Sequence, residues 1–399
     1  MVAPWGIFQP GGVSSAVAGL GGALERSGRW NVHYLELADA DSDVVTEAGR
    51  VVHRRHMRAG PAAHVNPRQR LAFIATLPAT VARTAMLIRN HGIDVVNVHF
   101  PTPEAWLFAA LRRRGLFRGK LLLSVHGMDV RGTLCTVPGR AAMRWIYESA
   151  DAIVACSNSL ARELPPLLPA AAERVHAVHN GIDPWTAPGG PHAHQRGPSA
   201  VPHAPTLLSV ATFEPKKGLD VLLDAFAICR RRHPGLLLRM IGQRRSRDPT
   251  HAEIVARVAA MGLRDCIEIE TDVPNRVVRE ALRQADVLVL PSRQEPFGLV
   301  LLEAGLLGTP IVASEVDGIP EVLPSDDYGL LVRPEDPGAL AEAIQRVLAD
   351  PGAAHDRAVN MKRRVVEHFT WDAAAARYEA ILSALQGAGN ISRVRPDAR

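Results

Sequence analysis

Residues 286–314 read Asp286-Val-Leu-Val-Leu290-Pro-Ser-Arg-Gln-Glu295-Pro-Phe-Gly-Leu-Val-Leu-Leu-Glu303-Ala-Gly-Leu-Leu-Gly308-Thr-Pro-Ile-Val-Ala-Ser314. Asp286 to Leu290 is a short apolar, β-branched run of the kind that forms a buried strand. Pro291 to Pro296 can continue neither strand nor helix, whereas Gly298 to Leu307 has the apolar density of a packed helix. This order places Glu295 in a strand-to-helix loop. It also sets the backbone N–H groups of Phe297, Gly298 and Leu299 at a helix N-terminus, where partial positive charge favours a diphosphate. Glu303 follows about one and a half turns along the same helix. Carboxylates in isolation are usually solvated charges. Glu303, however, lies within Leu-Leu-Glu-Ala-Gly-Leu-Leu-Gly, where an ionised group without hydrogen bonds costs several kcal/mol.

The alternation of short strands and helices extends outward from this stretch. In the first half the expected strands are Val2 to Ile7, Val32 to Leu37, Val95 to His99, Leu121 to Val125, Ala152 to Cys156 and Val175 to His179. In the second they are Thr206 to Val210, Leu236 to Ile241, Cys266 to Glu270, Val287 to Leu290, Pro310 to Ala313 and Gly329 to Val332. Helix-length intervals between strands argue for parallel sheets covered on both faces, and two six-strand series argue for two doubly wound domains. Residues 185–205, rich in Pro, Gly, His and Ala without periodicity, read as a linker between domains at 1–184 and 206–368. An Ala-rich helix at 369–387 and a basic tail at 388–399 complete the expected division. Ligands of such sheets bind beyond the carboxyl ends of the strands, and two facing sheets make one cleft.

At 399 residues the chain suits two domains, and 47% hydrophobic with 22% charged residues is ordinary for a globular protein. No stretch approaches about 18 consecutive apolar residues, and the N-terminus lacks a basic segment followed by an apolar one, so the reading is intracellular. Cys135, Cys156, Cys229 and Cys266 are too widely spaced for a zinc or redox motif and read as reduced thiols. Charge is uneven: up to Asp183 there are 20 Lys+Arg against 14 Asp+Glu. Two clusters produce the excess, Arg54, Arg55, Arg58, Arg68 and Arg70, and Arg112, Arg113, Arg114, Arg118 and Lys120. Such clusters suit an anionic membrane surface or acceptor, although a charge run is more often a solvated face. Nucleic acid is disfavoured, because no aromatics interleave the clusters and no recognised binding motif accompanies them.

Glu295-x7-Glu303, with Pro-Ser before it and Phe297-Gly298 inside it, resembles the signature of the retaining GT-B glycosyltransferases of family 4. The resemblance runs from Pro10 to about Leu385 and implies two Rossmann-like domains facing a central cleft, the first on the acceptor side and the second holding the nucleotide sugar. It implies that Glu295 contacts the donor sugar's hydroxyls, that Glu303 contacts the ribose, and that Phe297, Gly298 and Leu299 offer backbone amides to the diphosphate. Gly11 and Gly12 of Pro10-Gly-Gly match the family's glycine loop, whose amides approach the donor phosphates; a capped helix start, with Ser14 or the glycines at the cap, is the plainer reading. The cluster Gly19, Gly21 and Gly22 lies within the helix that follows and is not a dinucleotide fingerprint.

Lys217-Gly218 matches the family's Lys-Gly, whose lysine holds the diphosphate. The chain has only four lysines, and two of them are Lys216 and Lys217. A compact ammonium suits a phosphate oxygen in a tight loop. The family's Gly-Arg is replaced by Ala211-Thr212, which leaves Lys216 or Arg244 as substitutes for the second cation. His126-Gly-Met-Asp129 resembles the family's His-Gly-x-Asp, whose histidine reaches the donor sugar, with Asp129 a weaker substrate-binding candidate. Asn180-Gly-Ile-Asp183 resembles the turn before the hinge, and Phe369-Thr-Trp371-Asp the last segment that crosses back to the first domain, with Trp371 as a packing anchor.

No metal-ligand spacing is present; Asp39-Ala-Asp41 and Asp41-Ser-Asp43 fall in an expected polar loop. No cofactor is implied. The expected catalytic residues are His126, Glu295 and Lys217, with Gly11, Gly12, Phe297, Gly298, Leu299, Glu303, Lys216 and Asp129 binding substrate. The expected partners are a nucleotide diphosphate sugar donor, UDP before GDP, and a glycan or lipid-linked acceptor. The expected location is cytoplasmic or peripheral at the inner face of the membrane. A sugar-nucleotide epimerase of similar fold would turn over donor without acceptor, and a non-catalytic nucleotide-binding subunit would not hydrolyse donor at all.

Overall fold

The computed structural model describes residues 1–8, 11–46, 49–58, 67–132, 134, 140–183, 204–244 and 248–387. Pro10, Cys135, nearly all of the expected linker and the tail lie outside the described residues. The chain forms two compact units, Met1–Gly181 with Trp371–Arg399, and Ile182–Thr370.

The first unit carries β1 (Val2–Ala3), β2 (Tyr34–Leu37), β3 (Ser42–Val45), β4 (Val51–Arg55), β5 (Val95–His99), β6 (Lys120–Val125), β7 (Ala152–Ala155) and β8 (Val175–Ala177). They form one sheet in the order β3-β4-β2-β1-β5-β6-β7-β8, parallel except for the antiparallel β3–β4 pair. Its helices are α1 (Gly12–Arg26), α2 (Pro67–Asn90), α3 (Trp106–Arg113), α4 (Met128–Arg131), α5 (Arg140–Glu148) and α6 (Asn158–Leu167). Three sequence expectations are corrected. The sheet has eight strands rather than six: β3, exposed along most of its length, shows no apolar alternation and reads as the polar loop of Asp39 to Asp43, and β4 ends in the polar run His53-Arg54-Arg55. β1 stops at Ala3, before Pro4, which has no N–H to continue the ladder. And α2 contains a stretch, Leu71–Asn90, that is long and apolar enough to cross a membrane; its apolar residues are broken by Thr, Pro and Arg and so escape a search for consecutive ones.

The C-terminal helix (Trp371–Gly387) belongs to the first unit, where Trp371, Ala374, Ala375, Tyr378 and Leu382 pack against Ala16, Leu20, Ala23 and Leu24 of α1. The glycines of α1 are explained by this packing. A Cβ on Gly19 would lie 2.2 Å from the Trp371 ring and one on Gly21 2.5 Å from the Tyr34 hydroxyl, so these residues admit neighbouring aromatics.

The second unit carries β9 (Thr206–Val210), β10 (Leu237–Gly242), β11 (Ile267–Thr271), β12 (Val287–Leu290), β13 (Ile311–Ser314) and β14 (Leu330–Val332). All are parallel, in the order β11-β10-β9-β12-β13-β14. The helices are α7 (Leu219–Arg232), α8 (Thr250–Ala260), α9 (Asn275–Gln284), α10 (Leu299–Leu307), α11 (Ile319–Val322), α12 (Pro337–Ala349) and α13 (Pro351–His368). The six expected strands are present with ends moved by no more than one residue. β12 is buried throughout, as its unbroken apolar run requires of a central parallel strand.

Candidate functional site

In the second unit β9 and β12 are neighbours, and the strand order reverses direction between them. Loops at such a switch point diverge and leave a crevice for ligand. The loop after β9 holds Ala211 to Gly218, that after β12 Pro291 to Gly298, and the two are tied together: Lys216 O accepts the N–H groups of Arg293 and Gln294 at 2.8 and 3.2 Å. Gly218 sits at φ +63°, and a Cβ there would stand 2.1 Å from Pro291 O, so only glycine lets the loops approach this closely. Across this contact Lys217 Nζ reaches Glu295 Oε2 at 2.7 Å, with side chains only 14% and 13% exposed. The resemblance gives these two residues separate ligands; the structure puts them in direct contact. Glu295 is further fixed by its own N–H, which donates to Asp317 Oδ2 at 2.8 Å, and by its carbonyl, which accepts from the Gly318 N–H at 3.2 Å.

Gly298, at φ +88°, opens α10 with no side-chain cap and no acidic residue in the first turn. The Phe297 ring is buried against Phe369, 5.9 Å between centroids, so only its main chain faces the loop. Glu303 lies half-buried further along α10, and burial pushes its carboxyl up to about 7 against the opposing pull of Arg279. The replacement for the family arginine is partly occupied: Thr212 donates to the Glu214 carboxylate, which also pairs with Lys216 at 3.3 Å, and Arg244 pairs with Asp272 at 3.6 Å. Arg293, unremarked in the sequence, binds Asp220 of α7 through two bonds of 2.8 and 2.7 Å and also Glu335, and its Nη1 donates to Pro215 O at 2.7 Å, tying the two loops. Its partners lie too far along the chain for any spacing to reveal them.

In the first unit the sheet order reverses between β1 and β5. Gly11, at φ +147°, is followed by Gly12 as the first residue of α1, with no side-chain cap. Ser14 does not cap this start; its hydroxyl donates to Gly6 O at 2.9 Å. His126 follows β6. Burial pushes its imidazole down to about 4, so it is neutral at pH 7. Asp129 is corrected as a ligand contact: it is fully buried, and its carboxylate accepts the N–H groups of His126 and Gly127, which shapes the turn that presents His126. Desolvation still raises the Asp129 carboxyl to about 7, against the pull of these N–H groups.

Behind His126 runs a chain of buried polar groups. The Tyr378 hydroxyl meets Ser124 Oγ at 2.9 Å, and Ser124 Oγ donates to Asn97 Oδ1 at 2.8 Å. Asn97 Nδ2 meets His99 Nε2 at 3.1 Å, and His99 Nδ1 meets His126 Nε2 at 3.2 Å. Because an amide nitrogen only donates, the His99 proton is left on Nδ1 and is given to His126 Nε2. His126 therefore presents its own N–H from Nδ1.

Doubly wound parallel sheets, each with an uncapped, glycine-started helix beside its switch point, fit the class of GT-B transferases that the resemblance implied. Residues 10–185 match the family described as Glycosyltransferase Family 4 and residues 194–365 that described as Glycosyl transferases group 1. D-inositol 3-phosphate glycosyltransferase of Thermobispora bispora is 30% identical, over 81% of this chain and 78% of its own, and glycogen synthase of Mycobacterium tuberculosis is 27% identical, over 87% and 83%. Sucrose-phosphate synthase from Thermosynechococcus elongatus shares the fold at a TM-score of 0.75 and 25% identity, over 97% of this chain and 99% of that one. The chain belongs to the group 1, family 4 glycosyltransferases and is a glycosyltransferase enzyme.

Proposed function

We propose that this enzyme is a retaining, metal-independent glycosyltransferase. It moves a hexose or N-acetylhexosamine from a UDP-sugar, with a GDP-sugar the next choice, to a hydroxyl of a glycan or lipid-linked acceptor in polysaccharide or glycoconjugate biosynthesis. The observation that carries the reading is the Lys217–Glu295 contact beside the uncapped start of α10. A diphosphate seated there meets the Lys217 ammonium and the amides of Gly298 and Leu299, positive groups fixed in place before charge develops on the leaving group. Glu295 is then released to accept hydroxyls of the sugar, while Glu303 accepts those of the ribose. By the resemblance, Gly11, Gly12 and His126 are further donor-binding residues, and Lys216 is an auxiliary cation.

The names of the relatives pair this scaffold with inositol 3-phosphate and with glycogen, so the acceptor reading rests on the first unit's surface. Much of the basic charge there is already matched: Arg54 pairs with Glu36, Arg55 with Asp43 at 2.8 Å, and Arg112 with Asp151 at 2.9 Å. The stronger support for a peripheral membrane location is α2, where Leu71, Ile74 and Met86 are 68%, 61% and 50% exposed on a helix that also carries Arg83 and Arg89. Such a helix can lie in the interfacial plane of a bilayer. Saturation-transfer NMR with a panel of nucleotide sugars tests the donor: a UDP-sugar should give transfer to both base and sugar protons, lost in Lys217→Ala. Binding that survives this substitution unchanged would sink the site.

A further inference from the structure

At the amino-terminal ends of β2 and β5, away from the strand end that carries His126, three histidines meet. His33 immediately precedes β2, His53 is the middle residue of β4, and His91 lies in the turn between α2 and β5. One ring nitrogen from each lies within 4.8 Å of the other two. Their wide spacing in the chain hides them from any motif search, and the expectation that no metal constellation exists is corrected here.

The geometry is that of a ligand set rather than of three separate rings. His33 Nδ1 and His53 Nε2 stand 3.4 Å apart, the edge of a tetrahedron built on zinc–nitrogen bonds of about 2.0–2.1 Å. The other nitrogen of His53 faces Asp43 Oδ1 at 3.0 Å. A carboxylate on the far nitrogen fixes the tautomer and turns the opposite lone pair inward, as it does for metal-bound imidazoles. His53 is buried, His33 half-buried and His91 exposed, and the three line a cavity of about 540 Å³, so an ion has an entry path and room for a bound water. Closing the set needs a movement of about 1 Å, within reach of an exposed side chain such as His91.

We propose that His33, His53 and His91 hold one divalent transition-metal ion of the imidazole-preferring class, Zn²⁺, Co²⁺ or Ni²⁺, with water in the fourth position. Three nitrogen donors disfavour Mg²⁺ and Ca²⁺, which prefer oxygen ligands. The ion would fasten β2, β4 and the end of α2, and it takes no part in glycosyl transfer, whose groups lie at the carboxyl ends of the strands. Without an ion, the same contact is a hydrogen bond from His33 to His53.

Cobalt is the probe, added to the untagged, chelator-stripped full chain. One equivalent should produce the visible absorption of four-coordinate Co²⁺, and Zn²⁺ should displace it and raise the melting temperature. His91→Gln, at an exposed position where folding is undisturbed by circular dichroism, should abolish the band. Asp43→Asn should weaken affinity by about 10- to 100-fold, and His56→Gln, outside the set, should leave it unchanged. Absence of the band at millimolar Co²⁺, or an equal band in His91→Gln, overturns the proposal and leaves the hydrogen-bonded pair.

Discussion

Lys217 and Glu295 neutralise each other in a mostly buried contact, so removing one leaves the other as an unpaired charge. Lys217→Ala and Glu295→Ala are each expected to abolish transfer and to lose about 1–3 kcal/mol of stability by denaturant titration. The double variant Lys217→Ala/Glu295→Ala should be more stable than the sum of the single losses implies, a coupling measurable by a double-mutant cycle. Lys216→Ala should be milder in turnover, since Lys216 is already held by Glu214. The histidine chain gives a second expectation: ¹⁵N NMR should find the His126 proton on Nδ1, and Tyr378→Phe or Asn97→Leu should disturb that tautomer and lower kcat more than KM. Glu295, Lys217 and Gly298 were legible because each sits in a short contiguous motif. Arg293, Asn97, His99 and Tyr378 were not, because their partners come together only in the folded chain.

The two central sheets were legible to different degrees for the same physical reason. β12 and β13 are buried throughout and write unbroken apolar runs into the sequence, whereas β3 is an exposed edge and writes none. Helix α1 offers an expectation at this scale. Gly19→Ala drives a methyl into the Trp371 ring and should lower the melting temperature by several degrees, about 1–3 kcal/mol. Gly22→Ala meets nothing nearer than 3.4 Å, the flexible end of Arg50, and should gain up to about 1 kcal/mol from helix propensity. Equal destabilisation by both in thermal melts would show that α1 is not shaped by the C-terminal helix.

For the molecule as a whole, ionisation pulls stability in two directions. Glu303 and Asp129 are raised to about 7, so the folded chain holds protons that the unfolded chain has released, and these groups lose stability as pH rises from about 4 to 7. His33 and His126 are lowered to about 4, so they gain stability as pH rises from about 4 to 6.5. Glu303→Gln removes one of the raised carboxyls and should become more stable relative to wild type as pH passes from 4.5 to 7, by about 1–3 kcal/mol at the upper end. At the surface, Leu71→Ser with Ile74→Ser should weaken binding to anionic vesicles with melting unchanged, because both side chains are largely exposed. Undiminished sedimentation with vesicles would remove α2 as the membrane face.

The ion pair between the two loops also makes the empty protein its own competitor. A nucleoside diphosphate that takes Lys217 strands Glu295 in a confined place, whereas an intact donor brings hydroxyls that satisfy both at once. If the proposed site holds the donor, spent nucleotide would thereby be bound less well than its contacts alone would give, which would favour its departure after transfer. Glu295→Gln should erase that bias and tighten UDP, a change calorimetry would register as a lower dissociation constant.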